Sequence, residues 1–369
     1  MRISVQEIAA EVIRSANRDK PADAALREVL RECRELAPFD ATEVSRLVFL
    51  YYRWHGWIRD ERGVDAKMRL ARSLAERFQA NPASIPMAEL RAKAVPDWTA
   101  AEMDVSEDWL RSLQREPKLW LRAKRGQGGG LAAKLGAART LDFPDAVVYE
   151  GDTDLFKTPE FHAGEFEIQD IASQAVGLLC DPQPGETWWD ACAGEGGKTL
   201  HLSDLMANKG LIWVSDRAAW RLQKLKRRTA RAKVFNYRAA LWDGGAKLPT
   251  KTKFDGVLLD APCSGLGTWH RNPHARWTVT LGDVRELAEV QQRLLAHVAP
   301  AVKPGGRLIF SVCTLTRRET TAVADAFSES EPAFERLPLG GPENRSRALA
   351  SAAHLLKDKM FVAVWRRKN

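Results

Sequence analysis

Residues 254–277, FDGVLLDAPCSGLGTWHRNPHARW, decide the fold. Val257, Leu258 and Leu259 form a short continuous apolar run, the pattern of a strand covered on both faces in a parallel α/β sheet. Asp260, Pro262, Cys263 and Gly265 follow directly, and open α/β sheets hold their ligands in the crevice beyond the carboxyl ends of the strands. A second strand pattern, residues 307–313 (RLIFSVC), also ends in a thiol. Two strand-end cysteines opening on one crevice point to chemistry.

Working outward, strands are expected at 187–191, 211–215, 234–237, 254–259 and 307–312, alternating with helices at 173–179, 199–206, 218–231 and 283–302. That spacing implies βαβ units and a mostly parallel sheet in an α/β domain over 163–369. Upstream, Val5, Ile8, Ala9, Val12 and Ile13 give one apolar helix face, and Leu26, Val29, Leu30 and Cys33 repeat it, with Cys33 assigned to the core. Asp40 and Glu43 read as the N-cap and capping-box acid of a third helix through Val44, Leu47, Val48 and Tyr51. Residues 1–92 are therefore expected to be helical. Pro96, Pro117 and the glycine loop 126–130 punctuate a small connecting α/β subdomain over 93–162.

Composition narrows the function. A chain of 369 residues holds two or three units at ~150 residues each. No apolar run approaches the ~18 residues of a membrane span, and the first residues read as an amphipathic helix rather than a secretory signal, so a cytoplasmic location and no membrane partner are expected. Cys33, Cys180, Cys192, Cys263 and Cys313 include no short pair, which argues against a zinc site or a disulfide framework, and no metal is expected. A monomer is the expectation for oligomeric state.

A net charge of +8 alongside 13 tryptophans favours a polyanionic partner such as nucleic acid, with a solvated basic surface as the plain alternative. Lys118, Arg122, Lys124 and Arg125 near Trp120 are candidate phosphate contacts. So are His270, Arg271, His274 and Arg276 between Trp269 and Trp277, whose rings offer stacking faces or core packing. The helix at 218–233 carries Arg221, Lys224, Lys226, Arg227, Arg228, Arg231 and Lys233, read either as a backbone-binding stripe or as a solvated face.

The first expected strand runs into Asp190, Ala191, Cys192, Ala193, Gly194, Glu195, Gly196, Gly197, Lys198 and Thr199. Glycines there let backbone pass close to a ligand and aim helix N-terminal N–H groups at it. A phosphate-cradling GxxxxGK[ST] loop would need glycine where Cys192 stands, and a dinucleotide GxGxxG loop would need it where Thr199 stands. What remains is a loop for adenosine with a short tail. Asp216, ending the second strand, offers acceptor oxygens to ribose hydroxyls, and Asp243, after the third, to an adenine amine, although strand-end acids are also ordinary turn residues. S-adenosylmethionine is the leading ligand.

These residues carry a resemblance. Residues 164–174 (GEFEIQDIASQ), the 190–199 loop, the 260–265 box (DAPCSG), residues 271–277, the KPGG at 303–306 and the SVC at 311–313 are similar to the RNA (cytosine-5) methyltransferase family, in its bacterial Sun/Fmu-like ribosomal RNA branch. The helical start resembles the NusB-like RNA-binding domain that some members carry. The resemblance implies a Rossmann-like methyltransferase domain that makes 5-methylcytosine in RNA, with ribosomal RNA the expected substrate, and S-adenosylmethionine held by Cys192, Ala193, Gly194, Glu195, Gly196, Gly197, Lys198, Asp216, Asp243 and Asp260. Arg221, five residues after Asp216, would support the cofactor-side acids. Cys313 would be the nucleophile, Cys263 the thiol that helps release product, and Asp260 the catalytic acid beside the base. Three departures stand out: the loop has Ala193-Gly194-Glu195 before Gly196 where the family usually has Ala-Ala-Pro, the usual Thr-Cys-Ser becomes Val312-Cys313-Thr314, and the Glu-Asn after it becomes Glu319-Thr320. The alternatives are a transfer RNA cytosine-5 methyltransferase and a non-catalytic RNA-binding or ribosome-assembly factor with a degenerate methyltransferase fold.

Overall fold

The structure, a computed structural model, describes residues 4–33, 35–140, 142–339, 356 and 358–369. It divides into two compact units, one of residues 1–117 with 265–283 and the other of residues 118–264 with 284–369. Neither edge falls at the expected 92/93 or 162/163 boundaries.

The first unit is helical. Its opening helix, Val5–Ser15, starts with a capping box in which Glu7 N donates to Ser4 Oγ (3.2 Å) and Ser4 N to Glu7 Oε2 (2.7 Å), and it buries Ile8, Ala9, Val12 and Ile13 as their spacing predicts. The helix Ala22–Glu32 buries Leu26 and Val29, while Cys33 is a half-buried C-cap residue rather than a core thiol. The helix Pro38–Arg53 begins two residues before Asp40, because Pro38 already supplies a preorganised first position. Asp40 thus sits inside the first turn, and Glu43 pairs with Arg72 (2.7 Å) instead of closing a capping box. Helices Met87–Lys93, Thr99–Glu102 and Glu107–Ser112 extend the helical unit through residues expected to be α/β.

The segment 265–283 folds with these helices through Arg276. Its guanidinium is fully buried and donates to the carbonyls of Ala94 (3.0 Å), Leu113 (3.0 Å), Arg53 (3.3 Å) and Trp269 (3.5 Å). Trp269 is also fully buried, against Trp98 and Trp109, and Trp277 Nε1 donates to Tyr52 O (2.7 Å). Arg276 and Trp269 are therefore core, not phosphate or base contacts. His274 is buried and packs edge-on against Tyr52; of that group Arg271 alone is exposed.

In the second unit, strands β1 (Leu119–Ala123), β2 (Ala138–Arg139), β3 (Ala146–Tyr149) and β4 (Phe166–Ile168) form an antiparallel sheet in the order β2-β3-β1-β4. Arg122 in β1 is buried, donating to Gln169 Oε1 (2.7 Å) and pairing with Asp204 (3.2 Å), and Arg125 donates to Asp204 and Leu205. Of the four cations expected to meet phosphate here, Arg122 is instead spent inside the fold, while Arg125, which meets Asp204 through its backbone N, stays exposed.

Strands β5 (Thr187–Asp190), β6 (Leu211–Asp216), β7 (Tyr237–Leu241), β8 (Phe254–Asp260), β9 (Val302–Val312), β10 (Phe334–Leu337) and β11 (Phe361–Arg367) form a seven-stranded sheet in the order β10-β11-β9-β8-β5-β6-β7. The pairs from β9 through β7 are parallel, and β11 and β10 add antiparallel at the edge. β7 begins three residues later than expected, at Tyr237. Alternation splits the core in two. Trp188, Ile212, Leu258 and Ile309 pack with the helix Ile171–Cys180, whereas Trp189, Val257, Leu259 and Phe310 pack with the helices Leu281–Val298 and Thr321–Ser330. Gly256 in β8 is required by this packing, since a Cβ there would lie 2.3 Å from the Trp188 indole. The connections from β5 diverge, to β6 and β7 on one side and β8 and β9 on the other, and such a reversal of strand order is where open α/β sheets bind ligands.

Candidate active site

β8 and β9 are neighbours in register, with Leu258 opposite Ile309 and Asp260 opposite Ser311. Their carboxyl ends therefore deliver Asp260, Cys263 and Cys313 together, although 50 residues separate the two cysteines. Cys263 Sγ lies 3.3 Å from Cys313 Sγ. Contact with Cys313, burial and the nearby Glu319 carboxylate all push the Cys263 thiol up, so it is held as the neutral S–H.

Both oxygens of Asp260 are engaged: Ser311 Oγ donates to Oδ1 (2.7 Å) and Lys198 Nζ to Oδ2 (2.5 Å). Burial works against the Lys198 ammonium, but Asp260, with smaller help from Cys313 and Asp190, more than offsets it and raises its pKa overall. The glycine loop thus contributes a lasting cation to the strand end that holds the acid.

Glu319 ties the two thiol-bearing segments together. It is fully buried, accepting from Ser264 N (2.8 Å), Thr316 Oγ1 (2.8 Å), Gln291 Nε2 (3.1 Å) and, at very short range, Ser264 Oγ. Ser264 Oγ also meets Thr314 Oγ1 (2.8 Å), and Gln291 Nε2 donates to Pro262 O (2.9 Å). The residue after each thiol is therefore fixed by one carboxylate, whose pKa burial raises despite these donors. Sequence reasoning assigned no role to Ser311, Gln291 or Glu319; the signal for Ser311 was its place two residues before Cys313, on the same strand face.

Most of the residues expected to hold a cofactor lie at the ends of β5 and β6. Gly194 (φ +55°) and Gly196 (φ +85°) take left-handed backbone that lets the loop double back, and the helix Gly197–Leu205 opens directly after it. Gly194 N donates to Asp216 Oδ2 (3.0 Å) and Ala218 N to Asp216 Oδ1 (2.8 Å), with Arg221 3.8 Å from the same carboxylate. Each Asp216 oxygen keeps a further lone pair for a ligand hydroxyl. Ala193 N donates to Ser215 O (2.9 Å), binding the loop to β6. Cys192 packs at the edge of the Trp189 core, and burial raises its thiol pKa, which suits a packing role.

Glu195 turns to the helix Ala219–Ala232, where its carboxylate meets Lys224 Nζ (2.7 Å) and its carbonyl accepts from Arg228 (3.1 Å). Asp243 lies in an exposed turn after β7, accepting from Gly245 N (2.8 Å). Asp190, at the end of β5, is fully buried. Its Oδ2 accepts from Thr199 Oγ1 (2.6 Å), Oδ1 meets no partner among the described residues, and burial raises its pKa to about 7. No group of three or more His, Cys, Asp or Glu side chains among the described residues is placed to hold a metal ion.

Residues 177–364, 188 of the chain's 369, match the family model described as 16S rRNA methyltransferase RsmB/F. A probable ribosomal RNA small subunit methyltransferase B from Synechocystis sp. is 38% identical over 222 residues, covering 57% of this chain and 49% of that protein. One of the same description from Bacillus subtilis is 38% identical over 177 residues, 47% of this chain and 40% of that protein. The chain spans about half the length of the curated relatives it matches. In fold it is similar to the crystal structure of PH0851 (TM-score 0.79, 21% identity, 100% of both chains) and to a methyltransferase homologue from Pyrococcus horikoshii (TM-score 0.59, 23% identity, 80% of this chain and 99% of that one). With the strand-end thiols, the glycine loop and the parallel sheet all inside or beside the matched span, the chain belongs to the RsmB/F family of 16S rRNA methyltransferases.

Proposed function

We propose that this protein methylates carbon 5 of a cytosine in ribosomal RNA, using S-adenosylmethionine and a covalent Cys313 adduct. The observation that carries the reading is the pair of thiols 3.3 Å apart beside Asp260.

The cofactor fits the residues present. The helix N-terminus at Gly197 suits a carboxylate, Asp216 suits ribose hydroxyls, and the unpartnered Asp190 Oδ1 suits a nearby ammonium. Bound there, S-adenosylmethionine supplies an electrophilic methyl group. Glu195 pairs with Lys224, so its charge is offset beside the loop.

The chain's own residues divide the remaining work. Cytosine carbon 5 becomes nucleophilic only once carbon 6 has been attacked, and a thiolate adds there reversibly. Cys313 is that thiolate, and the Lys198 ammonium, close enough for its charge to interact with Cys313, is the setting that favours it. Asp260 in its protonated form gives that proton to ring nitrogen 3, where negative charge develops as carbon 6 is attacked, and Ser311 and Lys198 hold the carboxylate that results. The carbon 5 proton passes to water positioned near Cys263, the freed electron pair expels Cys313 as its thiolate, and the Cys263 S–H, in contact with that sulfur, donates a hydrogen bond to it as it leaves. The target base leaves its stack at a cost of roughly a few kcal/mol, least in a single-stranded loop. The helical unit serves as a NusB-like RNA-binding part, and the protein works as a monomer in the cytoplasm.

The test is transfer of labelled methyl from S-adenosylmethionine to protein-free ribosomal RNA. Cys313→Ala should lower it on the order of 10³-fold or more, and full activity of that variant overturns the reading. Cys263→Ala should accumulate a protein–RNA adduct that survives denaturation; continued turnover without adduct removes its assigned role.

A further inference from the structure

Against the glycine loop, with Glu195 of that loop at its edge and none of the catalytic residues in its lining, lies a groove of about 400 Å³. One wall is the face of the helix Ala219–Ala232 that presents Lys224, Arg227, Arg228 and Arg231. The other is the segment carrying Phe156 and Phe161. Spacing explains the wall: Trp220, Lys224, Arg227, Arg228 and Arg231 recur at three, four and seven residues, one side of a helix.

Charge and exposed aromatic surface coincide here. Four cations line the groove against two carboxylates, Glu167 and Glu195. Glu167 is buried and accepts from Arg228 (2.8 Å) and, at shorter range, from Arg231, which fixes both guanidiniums in place, while Arg231 Nε has no partner among the described residues. Arg227 is exposed and forms no ion pair among the described residues. Phe156 is 58% exposed and meets Phe161 edge-on (5.0 Å), and Phe161 carries Arg231 over its ring (3.7 Å). At the far end of the helix Trp220 is 55% exposed beneath Lys224 (4.9 Å). Two open aromatic rings would cost solubility for nothing on a merely solvated basic face. Phosphate contacts between stacking platforms are what unpaired nucleic acid requires.

We propose that this groove docks an unpaired segment of RNA alongside the catalytic centre, phosphates on Arg227, Arg228 and Lys224 and bases on Phe156 and Trp220. From Trp220 to Arg231 the helix spans ~16 Å at 1.5 Å per residue, enough for roughly five phosphates at the ~3.4 Å spacing of a stacked strand. The proposal rests on RNA as the substrate and adds where a second part of that RNA is held. It also gives Glu195 a use. Through Lys224 and Arg228, Glu195 fastens the basic helix to the cofactor loop, so that the docked strand and the methyl donor are positioned by one piece of backbone.

The test is anisotropy of a fluorescein-labelled oligouridine, single-stranded or annealed to its complement, with the full chain and with Phe156→Ala, Arg227→Ala and the double variant. Both substitutions are at exposed positions, and thermal melts confirm folding. Phe156→Ala should weaken single-strand binding about 5- to 100-fold, and Arg227→Ala should weaken it and reduce the salt slope by about 1. S-adenosylmethionine affinity and the methylation rate at saturating RNA should not change. Single-strand affinities within twofold of the wild type overturn the proposal, as does equal loss for duplex, or polyglutamate competing as well as RNA. A wild-type protein that binds no RNA overturns the substrate reading itself, a result separate from a groove that fails while methylation proceeds.

Discussion

Lys198 Nζ and Asp260 Oδ2 lie 2.5 Å apart, joining the glycine loop to the end of β8. Lys198→Met keeps the volume and removes the cation. Breaking a buried pair costs about 3–5 kcal/mol, and the lower end applies here because Asp260 retains Ser311 as a donor. Chemical denaturation should show a loss of about 3 kcal/mol. In preparations that remain folded, adduct formation should move to higher pH, because the charge that favours the Cys313 thiolate is gone. An unchanged pH profile would show that Lys198 serves the fold alone.

Burial lifts the Asp190 carboxyl from its ordinary 3.8 to about 7. Below pH 3.8 folded and unfolded chains are both protonated there, and the site costs nothing. As pH rises from about 4 to about 7 the unfolded chain ionises while the folded one keeps its proton, so stability falls; above about 7 the penalty is constant. Its ceiling is about 4 kcal/mol for a shift of this size. Asp190→Asn retains an acceptor for Thr199 and removes the titration. Without cofactor, the variant should gain stability over the wild type between pH 5 and pH 8, by on the order of a few kcal/mol, as read from urea midpoints. Parallel curves would mean that Asp190 binds the same number of protons in the folded and unfolded chains across that window.

Arg276 satisfies four backbone carbonyls from inside the helical unit, and burial lowers its pKa to about 9 without neutralising it at physiological pH. Arg276→Met should destabilise this unit by roughly 3 kcal/mol or more, since buried acceptors lose a charged donor. RNA affinity, measured below the melting range, should stay within twofold of the wild type. A selective loss of RNA binding with an unchanged melt would return Arg276 to the nucleic-acid surface.

The sheet and the two thiols were legible because local pattern encodes them. An apolar run of strand length ending in acid, proline and cysteine has few structural meanings, and β8 and β9 lie where that pattern puts them. Helix starts were less legible at Asp40, where a proline two residues earlier took over the first turn. What could not be read were relations between distant residues. Lys198 and Asp260 are 62 positions apart, and Ser264 and Glu319 are 55 apart. Arg276 and Arg122 misled for a different reason: an arginine is hydrophilic by type, and only the carbonyls and carboxylates around it reveal that it is interior. Glu195 was legible as a charge in an unusual place, but Lys224, its partner, stood 29 residues away among other cations with equal claim.

The helical unit closes with residues 265–283, which leave the sheet unit immediately after Ser264 and rejoin it at Val284. The chain therefore passes between the units three times, and the stretch that completes the helical core is spliced into the stretch that carries the chemistry. Exchange of the amino-terminal part by a single recombination event would separate the carbonyls of Arg53, Ala94 and Leu113 from the arginine that satisfies them. The two units are bound to be inherited together, and changes in one are filtered by the fit of a segment encoded in the middle of the other.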